Sequence, residues 1–192
     1  MDSIRLVLSI STSKQWEVHH MYVKSVFLHG DLNGEIYMKN PKVFIHDLSL
    51  VCRLKKYLYG LNQAPRAWYA KMDNFLFSQG FETWKCDHNV YLQHLYDCIQ
   101  IIVLYFYDIF ITIICIADIG SIKYSLHKAF SMTDLRLLKQ FLGLDIEKYD
   151  AGVKVIQSKY ASDLLQNFKI VESRYWKFST SADKGCFPRL KN

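Results

Sequence analysis

Apolar and polar positions recur at two different periods along this chain, and the switches between them mark out its elements. Ile4, Leu6, Val7, Leu8 and Ile10 crowd one stretch and predict a short buried helix over residues 3–14. Residues 17–23 alternate enough to predict a strand. Gly30-Asp31 and Asn33-Gly34 carry turn chemistry, and Glu35-Ile36-Tyr37-Met38 predicts a short strand ended by Pro41. Residues 51–56 alternate apolar and basic side chains, the pattern of a half-exposed strand with a positive outer face.

Pro65 opens a helix, because its missing N–H would be unpaired in the first turn anyway. Trp68, Met72, Phe75, Leu76 and Gln79 follow at helical spacing, and Gly80 supplies the stop. Residues 88–95 and 99–106 read as strands, with Tyr107-Asp108 at the tip of a hairpin that returns over 109–116. A helix is expected from Asp118 to Phe130, with Ile119, Ile122, Leu126 and Phe130 on one face. Phe141–Lys148 reads as a strand, Asp150-Ala151-Gly152 as a turn and Val153–Gln157 as its partner. Lys159–Phe168 is the last expected helix. Strands and helices mixed without strict alternation predict an α+β domain, an antiparallel sheet packed by helices on one side.

The run from Ile99 to Ile119 is long enough to cross a bilayer. Asp108 near its middle would cost about 3 kcal/mol there. Its isoleucines and aromatics also favour strands, so two buried strands are expected and no membrane partner. With 192 residues, 51% of them hydrophobic, the chain can bury a sizeable core, which argues against disorder. The net charge of +6 permits nucleic-acid binding without demonstrating it. Cys52, Cys86, Cys98, Cys115 and Cys186 form no CxxC pair, so reduced thiols in an intracellular protein are expected, cytoplasmic or nuclear. The start, Met1-Asp2-Ser3-Ile4-Arg5, does not resemble a cleavable secretory signal. Cys86, His88, His94 and Cys98 do not match a zinc-ligand spacing, and His19, His20 and His29 read as surface histidines.

Three segments carry the most chemistry. The first is Met21-Tyr22-Val23-Lys24-Ser25-Val26-Phe27-Leu28-His29-Gly30-Asp31-Leu32. The second is Leu58-Tyr59-Gly60-Leu61-Asn62-Gln63-Ala64-Pro65-Arg66-Ala67-Trp68-Tyr69. The third is Leu104-Tyr105-Phe106-Tyr107-Asp108-Ile109-Phe110-Ile111. Together they resemble the palm of a copia-type retrotransposon reverse transcriptase. Met132-Thr133-Asp134-Leu135 and Phe141-Leu142-Gly143-Leu144-Asp145-Ile146 resemble that family's later motif and its primer-gripping hairpin. Gln157-Ser158-Lys159-Tyr160 and Leu164-Leu165 resemble its next helix.

The resemblance implies a polymerase palm with partial fingers over residues 1–170 and a linker remnant over 171–192. It implies RNA-templated DNA synthesis from deoxynucleoside triphosphates, Mg²⁺ as cofactor and an RNA/DNA primer–template as partner. Phe27 falls at the aromatic position that blocks a nucleotide's 2′-hydroxyl. Tyr59, Gly60, Gln63, Pro65 and Arg66 match the segment against the incoming nucleotide and template, and Phe141, Leu142 and Gly143 match the primer grip. Metal-binding aspartates are implied at three positions, which here hold Tyr22, Tyr107 and Asp108. Magnesium wants oxygen ligands, mainly carboxylates, and a phenol is neutral near pH 7. One carboxylate cannot offset two divalent ions, so a silent site is expected. Rescue by Asp31 or Asp145 would require geometry held within about 0.5 Å.

Thr133 and Arg136 stand where the family usually has lysine and glycine. The stretch between Pro41 and Val51 reads as shortened, and the family's N-terminal fingers segment is missing. A piece of a decayed element is therefore expected, with Met1 an internal start. Two other readings stay open at this point: a non-catalytic nucleic-acid-binding module, and a non-functional translated remnant.

Overall fold

The long apolar run folds as a hairpin at the centre of a sheet. The computed structural model describes residues 2–32, 34–41, 50–95, 98–113, 119–149 and 152–168. The main sheet has six antiparallel strands. In spatial order they are β4 (Glu82–Trp84), β5 (Asp87–Leu95), β6 (Cys98–Tyr105), β7 (Asp108–Ile113), β1 (Val18–Val23) and β8 (Met132–Leu137). No helix among the described residues is long and apolar enough to cross a membrane.

Successive strand residues face opposite sides, so β6 and β7, mostly apolar and buried along nearly their whole length, supply two cores. Ile102, Leu104, Ile109 and Ile111 point to one side with Met21 and Val23. There they meet α2 (Ala64–Ser78) and α3 (Ile119–Ala129) through Trp68, Met72, Leu76, Ile122 and Leu126. Ile101, Val103 and Phe110 point to the other side, against Ile4 and Val7 of α1 (Asp2–Ser13) and against Leu138 and Phe141. Each such fully buried apolar side chain contributes about 1.5–3 kcal/mol. Helices thus cover both faces, which corrects the expectation of helices on one side. The cause lies in α1, where Ile4, Val7 and Ser11 form one buried stripe while Leu6 and Ile10 stay exposed.

α2 follows its sequence signals: Gln63 caps it, Pro65 sits in its first turn, and Ala64, Trp68, Met72 and Leu76 recur every fourth residue on the buried face. The chain leaves it through Gly80, whose φ of 86° is left-handed. Before α2, β2 (Tyr37–Lys39) and β3 (Val51–Arg53) form a two-stranded ribbon, and β3 is shorter than its alternating pattern predicted.

The strand expected over 141–148 is broken into β9 (Gln140–Phe141) and β10 (Leu144–Tyr149). Leu142 (φ 48°) and Gly143 (φ 75°) make the two-residue turn between them. β10 also pairs with β11 (Gly152–Ile156), which completes a three-stranded sheet. β4 and β8 were not foreseen. β4 is very short, and β8 buries only Met132, so neither carries an alternating signal.

The chain divides into two compact units, one of Met1–Ile156 and one from Gln157 onward, where α4 (Ser158–Asn167) lies. The boundary expected at residue 170, the tail from 171, the start of the expected helix at Asp118 and most of the Pro41–Val51 stretch lie outside the described residues.

Candidate active site

The three implied aspartate positions meet where β1 crosses the β6–β7 hairpin. Tyr105 pairs with Asp108 across the ladder, so Phe106 and Tyr107 alone form the loop. A two-residue hairpin loop requires a positive φ at its first position, and Phe106 adopts φ 54°. Two hydrogen bonds pin this loop from outside. The Trp68 indole Nε1–H donates to the Phe106 carbonyl at 2.9 Å, and the Val23 N–H donates to the Tyr107 carbonyl at 2.8 Å. The expectation that Tyr107-Asp108 forms the hairpin tip is corrected by one residue: Asp108 is the first residue of β7, and it is buried.

Tyr22 lies directly opposite Asp108 in the β1–β7 register. Its ring sits 5.2 Å from that of Tyr107, tilted by 59°. Two neutral phenols and one carboxylate thus occupy the implied metal positions. That carboxylate accepts a hydrogen bond from His20 Nε2 at 2.7 Å, and both side chains are only 10% exposed. His20 is consequently not the surface histidine its sequence suggested. The signal was present, because alternation along β1 puts His20 and Tyr22 on one face; what was hidden was the strand that lies opposite.

The residues that the resemblance implies on the nucleotide side gather separately. Phe27, in a short 3-10 helix over Val26–His29, packs edge-on against Tyr59 at 4.5 Å. Both line a cavity of about 350 Å³ together with Pro65, Trp68, Tyr69 and Tyr107. Gly60, Gln63 and Arg66 are exposed beside this segment, and Gly60 takes φ 95°, a conformation costly for any other residue. Phe141, Leu142 and Gly143 line a second cavity, of about 1230 Å³, with His20 and Asp108. The implied site is thus divided. Tyr107 faces the aromatic cavity, Asp108 faces the larger one, and Tyr22 borders neither.

The two candidate substitute carboxylates are engaged elsewhere. Asp31 is held by Lys71 at 3.1 Å and Lys56 at 3.7 Å. The hydrogen bond and charge of Lys71, helped by Lys56, hold its pKa below the usual carboxylate value. Asp145 lines the same cavity as Asp108 and accepts from Gln140 Nε2 at 2.7 Å. His19 is bridged between Glu17 and Lys123, and His29 packs against Trp68 and Phe130.

Among the described residues, no group of three or more His, Cys, Asp or Glu is placed to hold a metal ion. Phenols and a single histidine-bound carboxylate do not fit a pair of Mg²⁺ ions, which require several charged oxygens. Cys86 and Cys98 stand before and after the nine-residue β5, roughly 30 Å apart, too far to share a zinc ion. Cys52 and Cys86 are free thiols, whereas Cys98 is disulfide-bonded, so the expectation of reduced thiols throughout does not hold.

An antiparallel sheet with a buried acidic hairpin flanked by a proline-opened helix is the setting of the site. Residues 1–180 match the family model described as reverse transcriptase (RNA-dependent DNA polymerase), and the chain belongs to that family. It is 38% identical over 179 residues to the retrovirus-related Pol polyprotein from transposon TNT 1-94 of Nicotiana tabacum, covering 91% of this chain and 14% of that one. It is 32% identical over 174 residues to the Pol polyprotein from transposon RE1 of Arabidopsis thaliana, covering 90% and 12%. A putative transposon Ty5-1 protein of Saccharomyces cerevisiae shares 31% over 134 residues, covering 69% of this chain and 44% of that one. These relatives place it among copia-type elements, as the motifs indicated. The chain spans 14% or less of the two plant polyproteins. No solved structure matches it.

Proposed function

We propose that this chain is a reverse-transcriptase palm, with part of the fingers, that no longer polymerises. The observation that carries the reading is the packing of Tyr22 on Tyr107 across from Asp108, in the place where carboxylates are implied. A neutral ring at each of two positions removes the charge that the family's Mg²⁺ needs and adds bulk to a site sized for a carboxylate. Losing metal-based charge stabilisation costs on the order of several kcal/mol of barrier, enough to abolish turnover. The rest of the site is retained. Phe27, Tyr59 and Pro65 still line one cavity, in keeping with a nucleotide pocket, and the Leu142–Gly143 turn supports a primer-grip role for that hairpin.

Primer extension on an RNA template, in Mg²⁺ and in Mn²⁺, tests this. The chain carrying Tyr22→Asp with Tyr107→Asp should extend the primer and the parent should not. Extension by the parent would sink the reading.

A second reading, nucleic-acid binding without catalysis, is supported by the aromatic cavity beside exposed Lys55, Lys56 and Arg66. Aromatic faces stack bases without regard to sequence, and basic side chains meet the backbone. Fluorescence anisotropy with a labelled RNA–DNA hybrid should then show binding that weakens steeply with salt. No binding in dilute salt, together with no extension by the revertant, would leave only a non-functional remnant.

A further inference from the structure

Resting on the reading above, we infer that His20 holds the surviving carboxylate as a structural partner, so that a metal ion bound after the two tyrosines are replaced must compete with the imidazole for Asp108. The register puts the four groups on one face: Tyr22 opposite Asp108, and His20 opposite Phe110. Asp108 is buried, and a buried carboxylate without a partner is costly. The phenol directly across from it carries no charge. The Asp108 carboxylate instead takes the Nε2–H of His20 at 2.7 Å, two positions back along β1.

Packing fixes the imidazole there. The His20 ring lies 5.0 Å from Phe110, and Phe110 lies 4.6 Å from Phe141 in an edge-to-face contact. A histidine held this way cannot swing aside without disturbing the core that α1 and the β9–β10 hairpin share. The pair also lines the larger cavity, while Tyr107 lines the aromatic one. Asp108 is thus oriented by His20 toward one side of the sheet end. Restoring the two aspartates lets metal bind, but the third carboxylate is still shared with His20, which weakens that binding without abolishing it.

The test has two parts. In the parent chain, a double-mutant cycle of His20→Val and Asp108→Asn on urea unfolding should show coupling, with at least a tenfold departure from additivity in the unfolding constant. In the Tyr22→Asp/Tyr107→Asp background, Mn²⁺ affinity is read by electron paramagnetic resonance of the free ion, with and without His20→Val. Removing His20 should tighten Mn²⁺ binding at least tenfold. Additive unfolding effects, or equal Mn²⁺ affinity in a folded pair of variants, would overturn the inference. If the triple variant does not fold, the cycle in the parent decides alone. Primer extension by the unmodified chain would instead defeat the silent-palm reading, so the two failures are distinguishable.

Discussion

Arg136 shows how one residue registers the history of the site. Between β1 and β8 the register runs His19 to Leu137 and then Met21 to Asp134, so β8 carries one extra residue. Arg136 sits in that bulge at φ 66°, with its N–H donating to the Asp134 carboxylate at 2.8 Å. A bulge of this kind favours glycine, because an L side chain in the left-handed region costs about 1–2 kcal/mol. The glycine that the resemblance implies at this position would have a physical reason, and arginine strains it. Arg136→Gly should therefore raise the stability of the chain by about 1 kcal/mol, read as a higher urea midpoint at unchanged slope. A lower midpoint would mean that the arginine side chain holds the bulge by contacts stronger than the strain.

Elements were legible where their punctuation is local. Pro65 and Gly80 bracket α2 because proline and glycine act through their own backbone, and the β6–β7 hairpin followed from apolar residues too many for a half-exposed surface. The elements that escaped prediction depend on partners. β8 pairs with β1 along an edge and buries one side chain, and β9 is cut from β10 by a leucine that adopts a turn conformation. The loop before α2 makes a prediction at this scale. A Cβ on Gly30 would stand 3.1 Å from the Ala67 Cβ and 3.3 Å from both the Trp68 nitrogen and the Tyr57 ring. Gly30→Ala should thus push the chain after the 3-10 helix away from α2, at a cost of about 1–3 kcal/mol in thermal or urea unfolding. An unchanged melt would show that this loop does not dock closely on the helix.

At the scale of the whole molecule, both buried clusters lie within Met1–Ile156. A core that is complete within one segment can fold with that segment alone. A chain ending at Ile156 should keep a single cooperative thermal transition with strand and helix signals in circular dichroism. A broad, non-cooperative melt would show that residues from Gln157 onward complete the fold. The same scale explains the division of the site. The ordered motifs are scattered along the sequence, and the two faces of one hairpin sort them into an aromatic cavity and a larger, partly charged one.

The sequence by itself determined the family, the phenols at two of the three positions where the resemblance implies carboxylates, and the presence of a long apolar hairpin, because these depend on residue identity and local order. Only the tertiary structure decided that Asp108 is buried, that His20 takes its carboxylate and that α1 covers the second face of the sheet. Each of those depends on which strand lies beside which, and at what register. A shift of one residue in the β1–β7 ladder would turn His20 and Tyr22 to the opposite face, and that choice is made by the packing of the whole core.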